Sequence, residues 1–135
     1  MKEIKKINHV GIRVSCLDKS KLFYEKLGFE FIAGPLGPEP VAIMVHPSGI
    51  NINFILNSTD KTPKNYLMDI DDKHTGYTHM ALEVSDMDSI IDKLKKLEIT
   101  ISDGPINLEN GTSMLFIRDP DLNVIEFNQP SKYKK

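Results

Sequence analysis

The chain has 135 residues, 40% hydrophobic and 27% charged, with a formal net charge of -2 and a pI near 6.1. That is enough apolar material for one sizeable core, and the charge balance leaves no basic footprint for nucleic acid. No apolar stretch reaches membrane-spanning length, the N-terminus MKEIKK runs straight into strand-like sequence, and Cys16 is a lone thiol, so a single-domain cytoplasmic protein without membrane contact is expected.

The first element is a strand over residues 7–14, where Val10, Ile12 and Val14 alternate with His9, Gly11 and Arg13. Period-two alternation puts His9 and Arg13 on one face. Asp18 is a good N-cap for a helix over residues 19–27, with Leu22, Phe23 and Leu27 as its apolar stripe and Gly28 as its stop. Short apolar runs at residues 29–33, 41–45 and 51–56 predict three strands, separated by the Gly- and Pro-rich segments 34–38 and 47–49. Residues 57–76 are polar and aperiodic, the pattern of a linker ahead of a lid, with Tyr66, Leu67 and Met68 best able to reach an apolar pocket.

The order then repeats. Residues 78–84 predict a strand carrying His79 and Glu83 on one face, and residues 87–97 a helix capped by Ser85 or Asp86. Strands follow near residues 100–102, 113–118 and 123–128, with Asp119-Pro120-Asp121-Leu122 as a hairpin turn, and residues 131–135 read as a frayed basic tail. Residues 7–35 and 77–105 match at a constant offset of 70, His9 on His79 and Gly34-Pro35 on Gly104-Pro105. From Pro47 and Pro120 onward the offset is 73. The chain is thus an α+β fold of two βαβββ modules in tandem, module 1 over about residues 4–56 and module 2 over about residues 77–129.

Chemistry concentrates on three residues. Glu126 alternates with Ile125 and Phe127, so its carboxylate leaves the sheet opposite the apolar layer, while His9 and His79 occupy equivalent strand positions. Such groups are costly to desolvate without partners, and one divalent cation would satisfy all three. Two imidazoles and a carboxylate suit Fe, Mn, Co, Ni or Zn. Arg13 and Glu83, also equivalent, could form an ion pair between modules, or Arg13 could grip a substrate anion. His46 aligns with the turn residue Asp119 and is read as a hairpin residue.

NHVGIRV around His9, THMALEV around His79, the helix after each, and RDPDLNVIEF past Glu126 resemble the vicinal oxygen chelate superfamily, over about residues 4–129. That superfamily includes glyoxalase I, extradiol dioxygenases, fosfomycin resistance enzymes and bleomycin-binding proteins. The resemblance implies modules curled as a mixed sheet around a metal-binding cleft, with a small substrate chelating the metal through adjacent oxygens. It implies a metal-dependent, glyoxalase-like lyase with His9, His79 and Glu126 as ligands and Glu126 also as base, and Arg13 and Asn53 facing substrate.

The alternatives are a ring-cleaving dioxygenase, a fosfomycin-type thiol transferase, and a metal-free drug-binding protein. One departure carries weight: Glu126 maps onto Asn53, where the glyoxalase I pattern has a carboxylate or glutamine. Asn53 is a poor ligand and cannot act as a base. A homodimer is expected, because small modules leave sheet edges to cover.

Overall fold

The computed structural model describes all 135 residues, which divide into two compact units, Met1–Pro63 and Lys64–Lys135. Unit 1 contains β1 (Val10–Arg13), α1 (Leu17–Lys26), β2 (Glu30–Leu36), β3 (Val41–Val45) and β4 (Asn51–Ile55). Unit 2 contains β5 (His79–Glu83), α2 (Met87–Lys96), β6 (Ile101–Asn107), β7 (Ser113–Arg118) and β8 (Val124–Gln129), then a 3-10 turn, Ser131–Tyr133. Each unit is βαβββ around a four-stranded mixed sheet, with strand orders β1-β4-β3-β2 and β5-β8-β7-β6. The first strand of each unit pairs in parallel with the last, and the other pairings are antiparallel.

The two ladders have one register. Gly11 pairs with Asn53 as Ala81 pairs with Glu126, and Phe31 pairs with Met44 as Ile101 pairs with Ile117. The offsets of 70 and 73 are therefore structural equivalences. The cores follow them: Met44, Ile52 and Phe54 are fully buried in unit 1, and Ile117, Ile125 and Phe127 are buried in unit 2. The large Tyr24 comes with the small Ala42, whereas their counterparts are Leu94 and Leu115, so each unit fills its layer with a different division of volume.

Several boundaries differ from those expected. The first helix starts at Leu17, with Cys16 at the N-cap making no side-chain bond, so Asp18 lies inside the first turn. Its buried stripe is Ser20 and Tyr24, four residues apart, and Leu22 is 62% exposed on another face. Both β2 and β6 continue through Gly-Pro pairs that read as loop, because register shifts on either side of Ala33 and Asp103 absorb the kink. The tail is tied down: Lys132 Nζ lies 2.9 Å from Glu83 Oε1, and the Tyr133 hydroxyl donates to the same oxygen at 3.1 Å.

The two β3–β4-type turns use different residues for one task. Asp119 Oδ1 accepts from the amides of Asp121 (3.0 Å) and Asn123 (2.9 Å), and His46 Nδ1 accepts from the amide of Ser48 at 3.1 Å. His46 is thus a hairpin residue, as its alignment with Asp119 suggested. No helix is long and apolar enough to cross a membrane.

Candidate metal centre

The sheet of unit 2 places His79, Ala81 and Glu126 by register. His79 pairs with Val124 and Ala81 with Glu126, so the side chains of His79 and Glu126 rise on one face of neighbouring strands. Their Nε2 and Oε1 atoms stand 3.4 Å apart. Glu126 is buried at 8% exposure, while about a third of the His79 side chain remains open to solvent. Phe116, paired with Glu126, closes the flank of the imidazole edge-on with centroids 5.9 Å apart.

Each of these groups is oriented by a partner on its far side. The Oγ1 of Thr78 lies 2.9 Å from His79 Nδ1, which leaves Nε2 directed at the carboxylate. Asn128 Nδ2 donates to Glu126 Oε2 at 2.8 Å, leaving Oε1 toward the histidine. His9, exposed just before β1, repeats the arrangement in unit 1: its Nδ1 is 2.9 Å from Asn8 Oδ1, so Nε2 is again the free nitrogen. Holding one ring nitrogen to fix the other is how protein ligands to metals are commonly supported. Asn8 and Thr78 share the offset of 70, a signal present in the sequence but hidden by their ordinary polarity.

The His79–Glu126 pair has the spacing of two donors to one divalent cation. Two atoms each about 2.1 Å from one ion, at angles between octahedral and tetrahedral, stand roughly 3.0–3.4 Å apart. The separation of His79 Nε2 and Glu126 Oε1 matches the upper end of that range. Neither unit by itself gathers three or more His, Cys, Asp or Glu side chains around one point. Unit 2 brings together His79 and Glu126, and His9 belongs to unit 1.

In unit 1 the position of Glu126 is taken by Asn53, whose Oδ1 is buried without a hydrogen-bond partner, as is the Oδ1 of Asn51 two residues before it on the same face. An orphaned buried carbonyl is costly and calls for a partner that the folded chain does not supply. Arg13 and Glu83 each have partners inside their own unit. Arg13 Nε donates to Asn57 Oδ1 at 2.9 Å, and its guanidinium stands 3.8 Å from Glu39, to which Asn57 also donates. The Lys132 and Tyr133 bonds hold the Glu83 carboxyl below its usual pKa.

Residues 64–76, within the segment read as a linker, are tied to unit 2. Asn65 Nδ2 donates to the Leu122 carbonyl at 3.0 Å, and Asn65 Oδ1 accepts from the amides of Leu67 and Met68. Asp69 forms a two-pronged ion pair with Arg118 at 2.8 and 2.9 Å. The Arg118 hydrogen bond, and then its charge, hold the Asp69 carboxyl below the usual carboxylate range. A separate cavity of about 650 Å³ opens on the α2 side of this sheet, near Asp86, Lys93, Asn107 and Tyr133. None of the candidate ligands lines it.

Comparison with known proteins gives the same architecture. The model of the Glyoxalase/Bleomycin resistance protein/Dioxygenase superfamily matches residues 6–127. The Metallothiol transferase FosB of Lysinibacillus sphaericus is 31% identical over 130 residues, spanning 93% of this chain and 82% of that protein. A Probable lactoylglutathione lyase of Synechocystis is also 31% identical, over 93% of this chain and 96% of the relative. Among solved structures, a glyoxalase family protein from Enterococcus faecalis superimposes with a TM-score of 0.75 at 24% identity, covering 92% of this chain and 97% of the other. The tandem βαβββ units and these matches together establish that the chain belongs to the glyoxalase/bleomycin resistance protein/dioxygenase superfamily.

Proposed function

We propose that this protein is a metal-dependent enzyme that transfers a thiol to a small oxygenated substrate, with His9, His79 and Glu126 holding one divalent cation. The single observation that carries this reading is the register equivalence of Gly11–Asn53 with Ala81–Glu126. It leaves one carboxylate where a two-carboxylate isomerase needs a second group as base. A cation of the Fe, Mn, Co, Ni or Zn class would supply Lewis acidity to a chelating oxygen pair.

The residues of the chain then have distinct tasks. Asn8 and Thr78 fix the imidazoles, and Asn128 fixes Glu126. Asn53 offers its unpartnered amide oxygen to a substrate hydroxyl, and Arg13, already braced by Asn57, meets an anionic substituent. In the reaction, with an epoxide as the oxygenated substrate, a sulfur–carbon bond forms, the epoxide carbon–oxygen bond breaks, and the thiol proton ends on the released oxygen. The relative named as a metallothiol transferase supports this choice. A glyoxalase-type isomerisation, favoured by the second relative, would require Glu126 to serve as ligand and base together.

The working form is a cytoplasmic homodimer, consistent with a lone Cys16 and with β1 and β5 at the outer edges of their sheets. The test begins with protein purified without chelators and assayed for metal by mass spectrometry. About one ion per chain is expected, lost at least tenfold in affinity in His79→Ala and Glu126→Gln and retained in Arg13→Met. Thiol addition to fosfomycin should then exceed turnover of the methylglyoxal–thiol adduct. Wild-type protein that takes up no metal, or that prefers the adduct, overturns the reading.

A further inference from the structure

We propose that residues 65–69 form the specificity wall of this site, with Tyr66 and Met68 receiving an apolar or aromatic substituent of the ligand; this rests on the metal-centre reading above. The placement comes from unit 2 alone. Arg118, Val124 and His79 are consecutive partners across β7, β8 and β5, so their side chains form one row on the face that carries Glu126. Two strand spacings put the Arg118 and His79 backbones about 10 Å apart.

The segment is fastened to the Arg118 end of that row. Asp69 grips the guanidinium with both oxygens, and Arg118 also donates to the Leu122 carbonyl at 2.9 Å, the atom to which Asn65 donates. The amide of Asp69 closes back on the Asn65 carbonyl at 2.9 Å, so the five residues form one closed turn. Leu67 turns toward Gly76, three residues before His79, where a Cβ would lie 3.1 Å from its methyl carbon. The wall therefore reaches from the β7–β8 turn to the start of β5.

Between the anchors, Tyr66 and Met68 remain 58% and 40% exposed. Fixing two large apolar side chains in water by a braced backbone forgoes burial that a ligand can restore. Methionine adapts to varied shapes, and the Tyr66 ring, with Lys64 Nζ over one face 5.5 Å from its centroid, has its other face to offer. The fitting ligand has an oxygen pair at the His79 end and an apolar or aromatic group about the length of one ring away.

Hydroxamates test this, since each presents two adjacent oxygens and differs from the next only in its substituent. On the Mn(II)-loaded full chain, calorimetry should show benzohydroxamate binding about tenfold tighter than acetohydroxamate. In the Tyr66→Ala/Met68→Ala variant the two should bind alike, with Mn(II) and acetohydroxamate affinities unchanged. Asp69→Asn, which keeps both side chains but weakens the latch, should narrow the preference as well. Variants that fold with wild-type circular dichroism and keep the tenfold preference overturn the proposal while leaving the metal centre intact. Wild-type protein that takes up no Mn(II), or acetohydroxamate binding indifferent to His79→Ala, overturns the metal centre and this wall with it.

Discussion

Gly34 and Gly104 show how far single residues dictate the fold. At Gly34, φ is +135° and a Cβ would lie 2.6 Å from the Ala42 Cα, so both the backbone conformation and the neighbouring strand exclude a side chain. Gly104 repeats this with φ of +88° and the Met114 carbonyl at 2.9 Å. Gly49 has φ of +98° but nothing within 4 Å of the added carbon. Gly49→Ala should therefore cost about 1 kcal/mol, for backbone strain alone. Gly34→Ala should cost about 3 kcal/mol, because the strand must also move. Urea unfolding of the two variants measures the difference, and equal losses would refute the steric part. At this scale the candidate site is legible where chemistry repeats: His9 and His79 stand out because they match at the offset of 70, and Glu126 because it is acidic in an apolar strand. Thr78, Asn8 and Asn128 did not stand out, since a polar residue on a strand reads as solvated until its partner is known.

At the scale of elements, β3 and β7 fall where the apolar runs placed them, because short continuous apolar runs bounded by turn residues, at residues 41–45 and 114–117, are too brief for a helix. The helix starts were harder. Asp86 caps α2 by accepting from the Ser89 amide at 3.0 Å, and its counterpart at the offset of 70 is Cys16, which makes no side-chain cap bond. Asp18 is the nearest good capping residue in the sequence, whereas Cys16 caps by position only. Asp86→Ala should lower stability by about 1 kcal/mol, and Cys16→Asp should raise it by up to about 1 kcal/mol by supplying the missing acceptor. The backbone at both caps is extended, with φ of -147° at Cys16 and -149° at Asp86, so the substitution needs no rearrangement. Thermal unfolding followed by circular dichroism decides it. A destabilised Cys16→Asp would mean that the thiol packs rather than merely marks the helix start.

At the scale of the molecule, the doubled unit was legible as a repeat, yet a repeat does not say which copy pairs with which. β1 and β5 each end their sheet with an unpaired row of backbone groups, and each carries or directly follows one histidine of the proposed centre. If unit 1 of one chain pairs with unit 2 of a second, His9 and the His79–Glu126 pair of each centre come from different chains. Two damaged proteins can then repair one another. His9→Ala keeps an intact unit 2, and His79→Ala keeps an intact His9, so a mixed dimer rebuilds one complete centre of its two. Co-refolded in equal amounts, the variants should recover about a quarter of wild-type metal binding, since about half the dimers are mixed. Each variant alone should recover almost none. The dependence on co-refolding is itself diagnostic, because exchange of subunits is required before any centre can form. Recovery of nothing, with mixed dimers verified by mass, would place all three ligands within one chain and make dimerisation irrelevant to the chemistry.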